Sequence, residues 1–177
     1  MKNIILVYPA YERGGVKKNF LNYLNVFKKI KYNIHIISDK KILKDLKPKK
    51  KVKIKIINST KNNLFYKYFT SLSSAYQIIK IIKKLKDKNV RIISFQSSFF
   101  SSIVCSILNL KLIIRVSEDP ITATIHSDNY FLGIIIMLSK IITYNLSYKI
   151  LVNSNQMKNS IKKLTINKKK NYFTAQY

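Results

Sequence analysis

Five short segments constrain the fold more than any other feature: "NIILVY" (3–8), "NIHIIS" (33–38), "VRIISF" (90–95), "KLIIRV" (111–116) and "YKILVN" (148–153). All five read as strands, and some are continuously apolar, "NIILVY" being fully buried, as strands are in a parallel sheet covered by helices. "KVKIKIIN" (51–58) alternates instead and predicts a half-exposed strand. Between these runs the period becomes helical. Val16, Phe20, Leu24 and Phe27 fall on one face, and residues 64–86 form an amphipathic pattern through Phe65, Tyr68, Leu72, Ala75, Ile79 and Ile82. Further helices are expected over 97–109, about 130–146 and 155–164. Strands alternating with helices imply an α/β fold, a Rossmann-like three-layer sandwich with a parallel sheet.

A chain of 177 residues, 47% hydrophobic and 23% charged, is enough for a single core. No internal repeat or linker is visible. The charge is unusual: 34 Lys+Arg against 7 Asp+Glu give a net +27. Such a balance fits an anionic partner, nucleic acid or an acidic membrane. Arginine occurs only at 13, 91 and 115, and the scarcity of the residue favoured for bidentate phosphate and base contacts weighs against nucleic acid. Abundant Lys, Ile and Asn beside scarce Gly and Pro are also what AT-rich coding produces, so drift in surface charge is the first reading of the lysines and selected anion or membrane affinity the second. The basic stretch 40–55 is expected to be a solvated surface connection, with an electrostatic membrane patch as its alternative.

Cys105 is the lone cysteine, which excludes an intrachain disulfide and fits a reducing compartment. Lying in "SSIVCSIL", it is expected to be a buried, inert thiol. "MKNIILVYPAYE" lacks the long apolar region and cleavage site of a signal peptide, and "YFLGIIIMLSKIITY" is short for a membrane span. A cytoplasmic protein, with peripheral contact to the inner face of the membrane as an option, is the expectation. The 130–146 helix is expected to be buried, or alternatively to skim a membrane.

In an open parallel sheet, ligands bind beyond the carboxyl ends of the strands. The segments there are "PAYERGG", "QSSFF", "SEDPITATIH" and "NSNQ". The first carries Gly14 and Gly15 between a strand and a helix, without either the dinucleotide fingerprint or the G-x-x-x-x-G-K-[ST] phosphate loop. It is either a plain turn or an anion-binding helix start. Glu118 and Asp119 follow an apolar strand, as a general base or sugar-hydroxyl contact, or simply as turn residues before Pro120. Gln96 and Ser97 offer polar contacts where Ser97 or Ser98 also suits a helix cap. Asn153 and Gln156 have the spacing of a capping box. His126 is open to a role in the cleft, whereas His35, inside a strand, is structural. Two separated histidines and one cysteine give no metal-ligand spacing.

Taken in order, the first strand, "RGGVKKNFLNYLNVF", "YNIHIIS", "LIIRVSEDPI" and "YKILVNSNQMKNSI" resemble the N-terminal domain of family 4 glycosyltransferases, over about residues 3 to 165. The resemblance implies one half of a GT-B fold, residues 1–165, followed by a basic tail over 166–177. It implies retaining transfer from a nucleotide-sugar donor to a glycan or lipid-linked acceptor in polysaccharide or cell-envelope biosynthesis, without a bound metal or cofactor. Gly14 and Gly15 would approach the donor diphosphate. Arg13, Gln96, Ser97, Arg115 and His126 would face the acceptor, and Glu118 and Asp119 are the catalytic candidates. Two positions depart from the family's pattern: Lys17 replaces a frequent glutamate, and Ser117, Glu118 and Asp119 stand where many members have a histidine. The sequence ends about where the family runs into its donor-binding domain, so a truncated or split enzyme is expected. The competing readings are a non-catalytic basic module on anionic membrane or nucleic acid and, third, a nucleotide-dependent oxidoreductase, which the missing fingerprint disfavours.

Overall fold

The computed structural model describes residues 2–11, 14–46, 50–57, 64–86, 89–96, 98–121, 130–166 and 172–174. Its strands are β1 (Asn3–Tyr8), β2 (Asn33–Ser38), β3 (Val52–Ile56), β4 (Arg91–Ser94), β5 (Lys111–Arg115), β6 (Lys149–Val152) and β7 (Tyr172–Thr174). Its helices are α1 (Gly15–Lys29), α2 (Leu64–Leu85), α3 (Phe99–Ile107), α4 (Tyr130–Leu146) and α5 (Asn155–Leu164), with a 3-10 turn at Lys40–Lys44. The seven strands form one sheet in the order β3-β2-β1-β4-β5-β6-β7, every pair parallel. This is the Rossmann-like α/β sandwich that the apolar runs require.

The continuous runs are explained by the two cores they feed. In β1, Ile4, Leu6 and Tyr8 point to one side and pack with Phe20 and Leu24 of α1. Ile5 and Val7 point to the other, with Ile78 and Ile81 of α2, Cys105 of α3, Tyr144 of α4 and Met157 and Ile161 of α5. Burying a side chain such as Phe20 contributes roughly 1.5–3 kcal/mol.

Several elements differ from their sequence-based expectation. The 40–55 connection is not wholly solvated: Ile42 of the 3-10 turn is fully buried in the α1-side core. The segment 166–177 contributes β7, whose parallel pairing with β6 needs no apolar run of its own. Helix α2 buries Ser71, Ser74, Ala75, Ile78 and Ile81, while Leu72 is half exposed. Small serines there let α3 approach, and Ser71 Oγ accepts the Phe100 N–H at 3.1 Å. Helix α4 buries only Gly133, Thr143 and Tyr144, so it is a surface helix and not a buried one. No helix among the described residues is long and apolar enough to cross a membrane.

Candidate functional site

Strand order reverses between β1 and β4, and a crevice opens beyond the carboxyl ends of strands at such a point. The chain leaves β1 over an aromatic platform of Tyr8, Tyr11, Phe20 and Phe95, with ring centroids 5.3 to 6.2 Å apart. Asp39, buried just after β2, fixes the path of this loop. Its carboxylate accepts the Tyr11 N–H at 3.3 Å and the Lys41 N–H at 2.8 Å, and its own N–H donates to the Pro9 carbonyl at 3.1 Å. Sequence reasoning missed Asp39, although an acid directly after a buried strand in so basic a chain was a legible signal.

The loop delivers Gly14 as the cap of α1, at φ 132° and ψ −172°, a conformation that L side chains rarely adopt. Among the described residues no side chain caps α1, and a Cβ built on Gly14 or Gly15 would meet nothing within 4 Å. There is thus room beside both glycines among the described residues, at a helix start, the place where backbone N–H groups can receive an anion. Lys17 lies in this first turn but turns sideways: its Nζ sits 2.8 Å from Asp45 Oδ2 and 5.1 Å from the Tyr11 ring centroid. Lysine in place of glutamate thus has a structural partner supplied by the 3-10 connection.

Across the switch point, Gln96 leaves β4. Its carboxamide Oε1 is buried and has no hydrogen-bond partner among the described residues. Burying an unpaired acceptor is costly, so this atom is available to a polar ligand. Ser98 precedes α3 without capping it through its side chain, and its Oγ donates instead to Ser94 Oγ at 2.9 Å.

The β5 exit is held by Arg115. Its buried guanidinium donates to Ser117 Oγ at 3.1 Å and to Asn153 Oδ1 at 2.8 Å, joining the exits of β5 and β6. Asn153 is therefore a clamp, and α5 is capped by Ser154, whose Oγ accepts the Met157 N–H at 3.2 Å. The capping-box pairing of Asn153 with Gln156 is not formed. Asp119 Oδ1 accepts the Ile121 N–H at 2.9 Å, the turn role weighed for it. Glu118 beside it is exposed. Lys140 of α4 donates to the Pro120 carbonyl at 3.1 Å and ties this turn to the helix.

Gly14, Gly15, Gln96, Arg115, Glu118 and Asp119 thus lie along one edge of the sheet, whereas Arg13, Ser97 and His126 lie outside the described residues. His35 is buried in β2, and burial, then Lys53, Lys55 and Lys84, push its pKa down. Burial pushes the Cys105 thiol up to about 12, which makes it an inert core group. No cluster of metal-ligating side chains occurs among the described residues.

No protein-family model and no curated protein matches the sequence. Solved structures do match the fold. A sucrose-phosphate synthase from Thermosynechococcus elongatus aligns with a TM-score of 0.72 at 9% identity, over 98% of this chain and 47% of that one. A glycosyltransferase from Rickettsia africae aligns at 0.57 and 21% identity, over 98% and 42%. A UDP-GlcNAc 2-epimerase from Methanocaldococcus jannaschii aligns at 0.60 and 14% identity, over 98% and 45%. The chain spans less than half the length of each of these proteins, and its fold is the Rossmann-like half of a GT-B architecture. At these identities the likeness establishes the fold alone.

Proposed function

We propose that this chain is the acceptor-side domain of a family 4 GT-B glycosyltransferase, acting with a second Rossmann-like domain that holds most of the nucleotide-sugar. The observation that carries the proposal is the occurrence, on the two sides of the strand-order switch, of an α1 start at Gly14–Gly15 and a buried Gln96 carboxamide oxygen, neither with a side-chain partner among the described residues. An anion and a hydroxyl-bearing ligand are what those two features receive. The α1 amides would stabilise negative charge on the departing diphosphate, a term that operates strongly in a water-poor cleft. Gln96 Oε1 would accept from an acceptor hydroxyl. Glu118, exposed and bearing no hydrogen bond among the described residues, is the better placed acid for the acceptor, because Asp119 is committed to its turn. Arg115, already engaged by Ser117 and Asn153, acts as a positioning residue for this edge. Retaining stereochemistry and a glycan or lipid-linked acceptor rest on the family resemblance.

Calorimetry with UDP-glucose and GDP-mannose tests the division of labour, on the chain alone and mixed with a separately expressed donor-side domain. Weak or no binding alone and clear binding in the mixture are expected. Tight nucleotide-sugar binding by the chain alone overturns it. In the complemented enzyme, Gly15→Trp is expected to lower transfer about 100-fold by displacing the reactants from their geometry. The isolated fold should survive, because nothing lies within 4 Å of a Cβ at that position.

A further inference from the structure

The sheet has a second edge, opposite the candidate site, where all strands begin and all helices end. Lysines gather there: Lys29 ending α1 and Lys31 beyond it, Lys84 in the last turn of α2 and Lys86 beyond it, Lys162 and Lys163 in the last turn of α5. The four described acids, Asp39, Asp45, Glu118 and Asp119, all lie towards the other edge, after β2 or β5. Complementing helix dipoles would account for some of these lysines. It does not account for what stands between them. Ile30 after α1 is 54% exposed, Ile107 at the end of α3 is 73% exposed, and Ile166 beyond α5 is 86% exposed. Tyr148, at the start of β6, is flanked by Lys111 and Lys149, each with Nζ 5.5 Å from its ring centroid.

We propose that this strand-start edge docks on an anionic lipid surface, its isoleucines and Tyr148 entering the headgroup layer while the lysine ammonium groups reach lipid phosphates. Charge complementarity selects the anionic surface, and the interleaved aliphatic side chains select lipid over nucleic acid. Nucleic acid is gripped through arginine and stacking aromatics, and Arg91 is the one arginine at this edge among the described residues. The exposed outer face of α4, through Phe131, Ile134 and Leu138, is the competing surface. Its own lysine, Lys140, is turned onto the Pro120 carbonyl, so nothing on that helix recognises an anion. Docked by the strand-start edge, the candidate site stands about one strand length, roughly 20 Å, from the lipid. Where the transferase reading also holds, that distance favours an acceptor carried in water over one seated in the same bilayer.

The absence of tryptophan from the sequence makes an introduced one a clean reporter. Ile107→Trp and Leu138→Trp chains, both checked by circular dichroism, are titrated with phosphatidylcholine vesicles with and without phosphatidylglycerol. A blue shift at position 107 only with phosphatidylglycerol, reduced about tenfold in apparent affinity at high salt, is the expected result. Ile30→Ser combined with Tyr148→Ser should weaken binding about tenfold at unchanged net charge. A shift at 138 without one at 107, binding to neutral vesicles alone, no shift at either position, or salt-resistant retention on duplex DNA without vesicle binding each overturns the proposal. No sugar donor or acceptor enters the assay, so its failure leaves the transferase reading to its own test.

Discussion

Gly14 and Gly15 look interchangeable in the sequence and are not. Both have open space where a Cβ would stand, but only Gly14 holds a φ of 132°. Gly14→Ala is therefore expected to cost about 1–3 kcal/mol in urea unfolding, while Gly15→Ala is close to neutral. Equal costs would mean that backbone conformation is not what the pair supplies. His35 responds to acid in a defined direction. Because its pKa is lowered in the folded state, chiefly by burial, the unfolded chain takes up the proton first as pH falls below the ordinary 6.5. Stability should drop as pH is lowered through that value, and His35→Gln should flatten the dependence in urea melts at about pH 7.5 and 5.5. A variant with an unchanged slope would remove His35 from the acid response. At this scale the sequence was least informative. That Arg115 is clamped by Asn153, or that Asp39 steers the Tyr11 backbone, depends on residues 38 and 28 positions apart meeting in space.

Among the elements, the helix ends show what scarcity of glycine does to a fold. Lys31, Lys86 and Asn109, just beyond α1, α2 and α3, take φ values of 59°, 52° and 52°. These are the left-handed positions that glycine normally fills. After α1 the Tyr32 N–H returns to the Phe27 carbonyl at 3.1 Å, and after α3 the Leu110 N–H returns to that of Cys105 at 2.7 Å, so the motif closes without glycine. Lys31→Gly and Lys86→Gly are each expected to raise stability by about 0.5–1 kcal/mol in thermal melts. A loss of stability in both would show that chain entropy outweighs relief of strain. The elements were largely legible in the sequence because continuous apolar runs permit few alternatives. The exceptions share a cause: the buried face of α2 is set by close approach to α3, and β7 and the 3-10 turn exist through neighbours and not through patterns of their own.

For the whole molecule, seven acids cannot neutralise thirty-four basic side chains, and the compact state bears the repulsion. Added salt should screen it. Raising sodium chloride from about 20 mM to 300 mM is expected to raise the melting temperature by several degrees. A flat or falling response would mean that the lysines are spaced widely enough not to interact. That the four described acids lie at the strand-end edge, beside Lys17, Lys18, Lys40, Lys41 and Lys44, while many other lysines lie at the strand-start edge, was hidden in the sequence, where both are spread along the chain. Parallel topology sorts them.

The sheet order also sets a timetable for synthesis. The first strand to emerge, β1, lies in the interior of the finished sheet, with β2 and β3 on one flank and β4 on the other. Its β2 flank is filled early, while the other waits until the whole of α2 and then β4 have left the ribosome. At about 10 residues per second that edge stays unpaired for roughly eight seconds. During that interval the most apolar strand of the nascent chain is open to a foreign strand, and chaperone demand should be greatest there.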